Sequence, residues 1–435
     1  MSGWIKRGLA PIGVDISPHG VKLLQLRKGR DGLTVVASSS APLDEASMSG
    51  AFAFASPSHS DAGAHKSQAE HETPTNSIDA WSAPEADPGA LIDQEEREPA
   101  PPWKANLTQA LTTALAAGAF QGRRCTIALS DEFLRVRSVR QPRMPKEEAT
   151  CAIRLEAADR LGFRSGIKVE IDWIEAGEVR QGEDVREELI LVGAESTRLA
   201  HIVDAVGEVG LAPIAVEPAF LAQARALGRT LRRADDTSLV RLIIDIGRRQ
   251  TGVIVTRGSD VVFYKALEIG GERFDAAAAQ RLGARPESVA DLRRQRMRTP
   301  ATERDPRVDR AMFESIRPVM SQLTQEAALC LRYYSVTFFG ERPTLALLVG
   351  DEAREPGLVK TVGESLSVPA AVATPLDGVA LDGVGAESDR RSELAEWSTS
   401  VGACLLGFPI KRIESDKTQH SEAGSSTSPV KEAAA

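Results

Sequence analysis

The apolar positions of this chain fall mainly into short β-branched runs separated by turn residues. Residues 242–244 (Leu-Ile-Ile) and 253–255 (Val-Ile-Val) have the length and branching of buried strands, and the stretch between them carries Asp245, Gly247 and Thr251. The spacing predicts a tight β-hairpin that gathers those three residues at one strand end. A second copy lies near the N-terminus, where residues 12–26 run strand, Asp15, turn, strand. Each copy continues through a further turn, residues 28–32 or 257–260, into a third run, residues 33–36 or 261–264. The interval from Asp15 to Gly29 differs by one residue from that between Asp245 and Gly258. This is an internal repeat of a three-strand unit, and it predicts two α/β lobes with a shared cleft.

Between and after the two copies the pattern alternates strands and helices. Asn106 is placed to cap a helix reaching Ala117, with Leu107, Leu111 and Leu115 on one stripe. Strands at 125–129 and 134–139 follow. A helix near Pro145, strands at 168–173 and 188–192, a helix carrying Leu199, Ile202, Val203 and Val206, and a strand at 213–216 read as a β-α-β-β-α-β inserted subdomain. A helix entered through Glu217-Pro218 connects the lobes. Gly270-Gly271 precedes a helix at Phe274, either leaving free amides near the cleft or forming a simple tight turn. The Arg- and Pro-rich stretch 283–310 reads as a solvated loop rather than an anion site. A long amphipathic helix spans about 312–334, with Pro318 expected to kink its first turn. A strand at 344–349 ends in Gly350-Asp351, and residues 400–406, with Gly402 and Ala403, suit a helix in close contact with another.

Composition changes this picture in one place. Residues 44–102 are rich in Ser, Ala, Pro and acid, with twelve Asp or Glu against two Lys or Arg, and cannot bury enough apolar surface to offset chain entropy. The expected organisation is therefore a first lobe (1–43 and 103–139), a disordered acidic insertion (44–102), an inserted α/β subdomain (140–217), a second lobe (218–410) and a disordered tail (411–435). The net charge of −8 comes from that insertion, so a nucleic-acid-binding face is not expected. The four cysteines match no metal spacing and read as reduced core residues. No apolar stretch approaches the ~20 residues of a membrane span. The first residues lack a signal-peptide core, so a cytoplasmic location without direct membrane insertion is expected.

A Gly-bearing turn lets backbone approach phosphate oxygens, and a nearby carboxylate can hold a hydrated magnesium ion. Together with the order and spacing of IGVDISPHGVKLLQL, LEAADRLGF, VGLAPIAVEPAFLAQARAL, IIDIGRRQTGVIV, LEIGGERF and LLVGDEAREPGLVKTVGESLSVPAAVATPL, these features resemble the cytoplasmic type IV pilus assembly proteins of the PilM family. Those proteins are relatives of FtsA in the actin-like ATPase superfamily. The resemblance covers nearly all of the chain outside the insertion and tail. It implies a two-lobed actin-like fold with an FtsA-like subdomain, ATP and Mg in the cleft, and recruitment to the inner membrane. The implied partner is a short cytoplasmic N-terminal segment of a PilN-like membrane protein, in a groove between the first lobe and the subdomain. Self-association stays open.

Carried over by resemblance, Asp15 and Asp245 face Mg through water, Lys22 reaches the phosphates, and Ser17, Gly247 and Thr251 belong to the phosphate hairpins. Gly270 and Gly271 stand near the nucleotide, Gly350 is the first glycine of the adenosine turn, and Gly402 is the small residue of the interlobe contact. Glu217 corresponds to a residue that positions attacking water in related chaperones. The chain departs from the pattern at Ser17-Pro18, which removes an amide donor, at Arg248-Arg249, which crowd the second hairpin or contact phosphate, and at Asp351, where a second glycine is usual. ATP turnover is expected to be slow or absent. The alternatives are a small-molecule kinase of the same superfold, which lacks a candidate base after Val139, and an FtsA-like filament, which would want an amphipathic terminal helix.

Overall fold

Strands β1 (Leu9–Ser17), β2 (Gly20–Lys28) and β3 (Leu33–Pro42) form an antiparallel meander, as the runs and turns require. The structure is a computed structural model that describes residues 8–44, 48, 100–181, 184–338, 340–385 and 388–406. On the far side of β1, β4 (Arg124–Leu129) and then β8 (Ala212–Pro218) add in parallel, while β14 (Val379–Ala380) pairs with β3. The second meander is β9 (Val240–Ile246), β10 (Thr251–Arg257) and β11 (Asp260–Leu267), extended in parallel by β12 (Leu345–Val349) and β13 (Ala370–Val372). Five strands of each sheet therefore share one order, β3-β2-β1-β4-β8 and β11-β10-β9-β12-β13. The repeat read from two hairpins extends across both sheets.

Helices cover each sheet because the strands present apolar faces. Against the first sheet pack α1 (Pro102–Ala117) and α3 (Ser196–Glu208), which bring Trp103, Leu107, Ile202 and Val206 onto Ile12, Val14 and Leu23. Against the second pack α5 (Gly271–Leu282), α6 (Pro286–Arg298), α7 (Pro306–Phe338, running through Pro318) and α8 (Leu358–Leu366). A third sheet of β5 (Arg135–Pro142), β6 (Val169–Gln181) and β7 (Asp184–Glu195), in the order β5-β7-β6, is covered by α2 (Lys146–Arg160) through Ile153 and Ala157. Between the two large sheets lie α4 (Ala219–Gly228) and α9 (Ser398–Cys404), joined through Ala222 and Ala403.

Several expectations are corrected. The first helix starts at Pro102, not at an Asn106 cap, because a proline needs no amide partner at the first helical position and Trp103 already belongs to the buried stripe. The helix α3 and strand β8, grouped from sequence with the inserted subdomain, pack with the first lobe, so the subdomain sheet carries one helix rather than two. The Arg-rich stretch is no solvated loop: α6 buries Val289, Ala290, Arg293 and Arg296 along one face. Three cysteines are buried, but Cys151 is exposed. Disorder was expected over 44–102 and 411–435, most of which lies outside the described residues. Met48, inside the first range, is fully buried in the first-lobe core.

Candidate functional site

The two hairpins meet across a cleft lined from both lobes. In each, the aspartate sits near the end of the first strand: Asp15 opposes Lys22 on β2 and lies beside Ala128 on β4, while Asp245 opposes Gly252 on β10 and lies beside Val349 on β12. The parallel strands β4 and β12 then deliver Ser130-Asp131-Glu132 and Gly350-Asp351 to the same space. Of the residues singled out from sequence, Asp15, Ser17, Lys22, Asp245, Gly247 and Gly350 line the cleft together. Gly350 has φ of +90°, and a Cβ there would stand 2.4 Å from Asp245 Oδ1 and 2.5 Å from Ile246 O. Only glycine suits that turn.

Arg248 and Asp351 line the cleft too, whereas Thr251, Gly270, Gly271 and Glu217 do not. Thr251 is fully buried and its hydroxyl donates to Ile269 O at 2.6 Å. The amides near Gly270-Gly271 are engaged rather than free. Gly271 N donates to Gly247 O at 3.0 Å and Glu272 N to Arg248 O at 2.8 Å, so the pair welds α5 to the second hairpin. Both arginines of the second hairpin are engaged by carboxylates of α5, Arg248 donating to Asp275 at 3.1 Å and Arg249 to Glu272 at 3.2 Å. Glu217 lies outside the cleft, held by Arg225, whose Nη1 and Nη2 donate to its carboxylate at 2.6 and 2.5 Å. A bidentate clamp of this kind leaves the carboxylate poorly placed to orient water for another site.

Carboxylates dominate the electrostatics. Burial lifts the Asp15 pKa to about 7, with Asp351, Asp245 and Glu132 adding to the rise against Lys22. Burial likewise raises Asp245 to about 6, opposed by the hydrogen bond from Gln223. Asp131 and Glu132 are also raised, chiefly by burial. Burial works against the ammonium of Lys22, but Asp351 and Asp15 outweigh it and the pKa is raised. Lys22 forms an ion pair with Asp351, a bond from one lobe to the other.

Sequence reasoning missed Asp131, Glu132, Gln223, Tyr264 and Thr399. The Tyr264 hydroxyl donates to Asp131, and its ring stacks on Phe220 at 4.2 Å between centroids. Gln223 donates to Asp245 at 2.7 Å and to Thr399 at 3.0 Å. A Ser-Asp-Glu run directly after a strand was the available signal for the first pair. Gln223 and Thr399 gave none, because a polar residue within a small-residue helix carries no local mark of the partner it meets in the fold.

A second depression lies where the first lobe meets the third sheet. Its walls are apolar, with Leu129, Leu134, Ile174, Val192, Val216 and Leu221 among them, and Glu217 stands at its side. Five consecutive residues of β6, Glu170 to Ile174, line it, so the strand presents an edge rather than a face. Both β6 and β8 are edge strands of their sheets. The Trp173 amide donates to the adjacent Asp172 carboxylate at 2.8 Å, which blunts that edge.

Two lobes on sheets of one strand order, each offering an Asp-bearing hairpin to a common cleft, define an actin-like ATPase fold. The family model for the type IV pilus assembly protein PilM matches residues 95–408. The chain belongs to that family. A chain of the PilM-PilN type IV pilus biogenesis complex has a similar fold, with a TM-score of 0.63 and 20 % identity over 92 % of this chain and 98 % of that one. The ethanolamine utilization protein EutJ from Carboxydothermus hydrogenoformans is less similar, at a TM-score of 0.45 and 12 % identity over 93 % and 91 % of the two chains. No curated protein sequence matches. Among the described residues no helix is long and apolar enough to cross a membrane.

Proposed function

We propose that this PilM-family protein is a cytoplasmic scaffold of a pilus or related machine that takes Mg-ATP in the cleft and a short N-terminal segment of a PilN-like inner-membrane partner in the apolar groove. The observation that carries the reading is the coexistence of the two sites on one fold: paired hairpin aspartates in the cleft, and two sheet edges beside an apolar groove. The protein of similar fold solved as a PilM-PilN complex supports the choice of partner.

The residues present fit a hydrated divalent cation. Among the described residues no group of three or more His, Cys, Asp and Glu can enclose a metal directly, and Mg²⁺ commonly keeps several waters and takes one or two carboxylates. Asp15 and Asp245 would hold it, and the cation would neutralise a triphosphate that otherwise faces a carboxylate-rich cleft. Ser17, Lys22, Gly247 and Gly350 would contact nucleotide, while Thr251, Gly270 and Gly271 hold the backbone that shapes its seat.

Asp245→Ala is expected to weaken Mg-ATP binding at least about tenfold, the scale of losing one charge-bearing contact. Titration calorimetry reads this directly, and an unchanged affinity would remove Asp245 from the site. The pH dependence has a definite sign. Asp15 and Asp245 have folded pKa values of about 7 and about 6, raised from 3.8, so a cation must displace protons as it binds. Its affinity should rise as pH climbs through those two values and level off once both are passed. The same shifts stabilise the free protein fully below the unfolded carboxylate pKa and lose that contribution as pH rises through the folded values. Asp351→Asn, which weakens the bond to Lys22 across the cleft, should tighten nucleotide binding severalfold; weaker binding would instead make Asp351 a direct contact.

In the groove an extended peptide would pair with an exposed strand edge while its alternate side chains fill the apolar walls. Val216, 36 % exposed on β8, can accept a charge without unfolding the protein. Val216→Asp is expected to cost the peptide at least about tenfold in affinity, or about 1.4 kcal/mol. Fluorescence anisotropy with N-terminal peptides of membrane proteins encoded beside this chain tests it. Equal binding by the variant, or no binding of any such peptide to the unaltered protein, would argue against the scaffold reading.

A further inference from the structure

The buried residues of α4 are Ala, Phe, Leu and Gly apart from Gln223, which is 2 % exposed. Its Nε2 donates both to Asp245 Oδ2 on β9 and to Thr399 Oγ1 on α9. Those two bonds fix which end of the amide is nitrogen, since the reverse orientation would set the amide oxygen against a carboxylate. The amide oxygen Oε1 is consequently buried with no hydrogen-bond partner among the described residues. A buried acceptor left in that state is unfavourable, and an apolar side chain of the same length would avoid it. Gln223 lines the cleft beside Asp15 and Asp245, where a donor entering from the cleft would satisfy it.

We propose that Gln223 is a positioning residue of the cation site. Its nitrogen holds the Asp245 carboxylate in place, and its oxygen accepts a hydrogen bond from a water in the shell of a hydrated divalent cation. This rests on the nucleotide-and-metal reading of the cleft given above. Carboxylates that bind metals, directly or through water, depend on such outer partners for their orientation. Here one side chain ties the second-lobe strand β9 to α4 and α9, so the metal-facing carboxylate and the two interlobe helices share a single amide.

The test uses the full chain and Mn²⁺ as the probe, with the electron paramagnetic resonance signal of free Mn²⁺ reporting binding in the presence of ATP. ATP affinity measured in EDTA separates the metal from the nucleotide. Gln223→Met keeps the length of the side chain and removes both polar atoms. It is expected to weaken Mn²⁺ binding about 10–100-fold while metal-free ATP affinity changes less than about twofold, well within the tenfold that corresponds to 1.4 kcal/mol. Thr399→Val, which removes one tether and leaves Gln223 present, should shift Mn²⁺ binding in the same direction by less. Mn²⁺ affinity unaltered in both variants would overturn the proposal and assign the unpaired oxygen to an ordinary buried water. Equal loss with and without metal would overturn it as well, since Gln223 would then shape the nucleotide seat. If the unaltered chain bound neither ATP nor Mn²⁺, the nucleotide reading would fall and this one with it.

Discussion

Arg293→Met is expected to destabilise the protein by about 3–5 kcal/mol, the usual cost of removing one partner from a buried ion pair. The guanidinium is 1 % exposed and sits at the centre of an acidic cage. Nη1 donates to Asp275 at 2.7 Å, Nε donates to Glu355 at 3.0 Å, and Nη2 pairs with Glu352. It also stands 5.0 Å from the centroid of the Phe274 ring. Burial disfavours the charge, but Glu352, Glu355 and Asp275 overcome it and hold the guanidinium protonated. Methionine preserves much of the stem and leaves those carboxylates desolvated without their cation. Urea unfolding would report the loss, and a change below about 1 kcal/mol would mean that water or neighbouring Arg296 replaces the missing charge. The damage should spread to the cleft, because Glu352 follows Asp351 in the turn that begins at Gly350, and Gly271 is pressed against its side chain.

Gly402→Ala is expected to cost about 3 kcal/mol or more, at or beyond the upper end for overpacking a core. A Cβ at that position would lie 1.7 Å from Ala222 O and 2.3 Å from Ala222 C. Both are backbone atoms, so no rotamer change relieves the clash and α4 and α9 must separate. The other side of α9 offers no retreat, since β1 is as close: a Cβ on Gly13 would stand 2.1 Å from Ser400 O. Gly207→Ala on α3 is the matched control. Nothing lies within 4 Å of a Cβ there, and helix propensity predicts a gain of up to about 1 kcal/mol. Thermal unfolding of both variants distinguishes the cases, and similar midpoints would show that the helix contact yields easily. Because Gln223 rides on α4 and Thr399 on α9, Gly402→Ala should also weaken Mg-ATP binding.

The sequence by itself determined the repeat, the strand runs and the cleft-facing hairpins. These depend on local rules: branched apolar runs of strand length, turn residues at fixed offsets, and a period that survives duplication. Asp15 and Asp245 could be named because each sits at the end of such a run, whereas Lys22 and the role of Gly350 came only from the family resemblance. The Gly402 helix was readable for a similar reason, since a cluster of small residues implies close approach whatever the partner.

Tertiary structure alone decided what each polar residue meets. Arg293 and Arg296 look like solvated charges in an Arg-rich stretch, and only the carboxylates of Asp275, Asp309, Glu352 and Glu355, remote in sequence, make their burial tolerable. Glu217 follows the expected motif, yet the fold sets it beside the apolar depression rather than the cleft, with its carboxylate held by Arg225. Strand β8 and α3 joined the first lobe because an edge and an apolar stripe find the partner that buries them best, which local pattern does not specify. Gln223 was invisible for the same reason. One glutamine among alanines has no period, and its meaning arises from Asp245 and Thr399, brought to it from other segments of the chain.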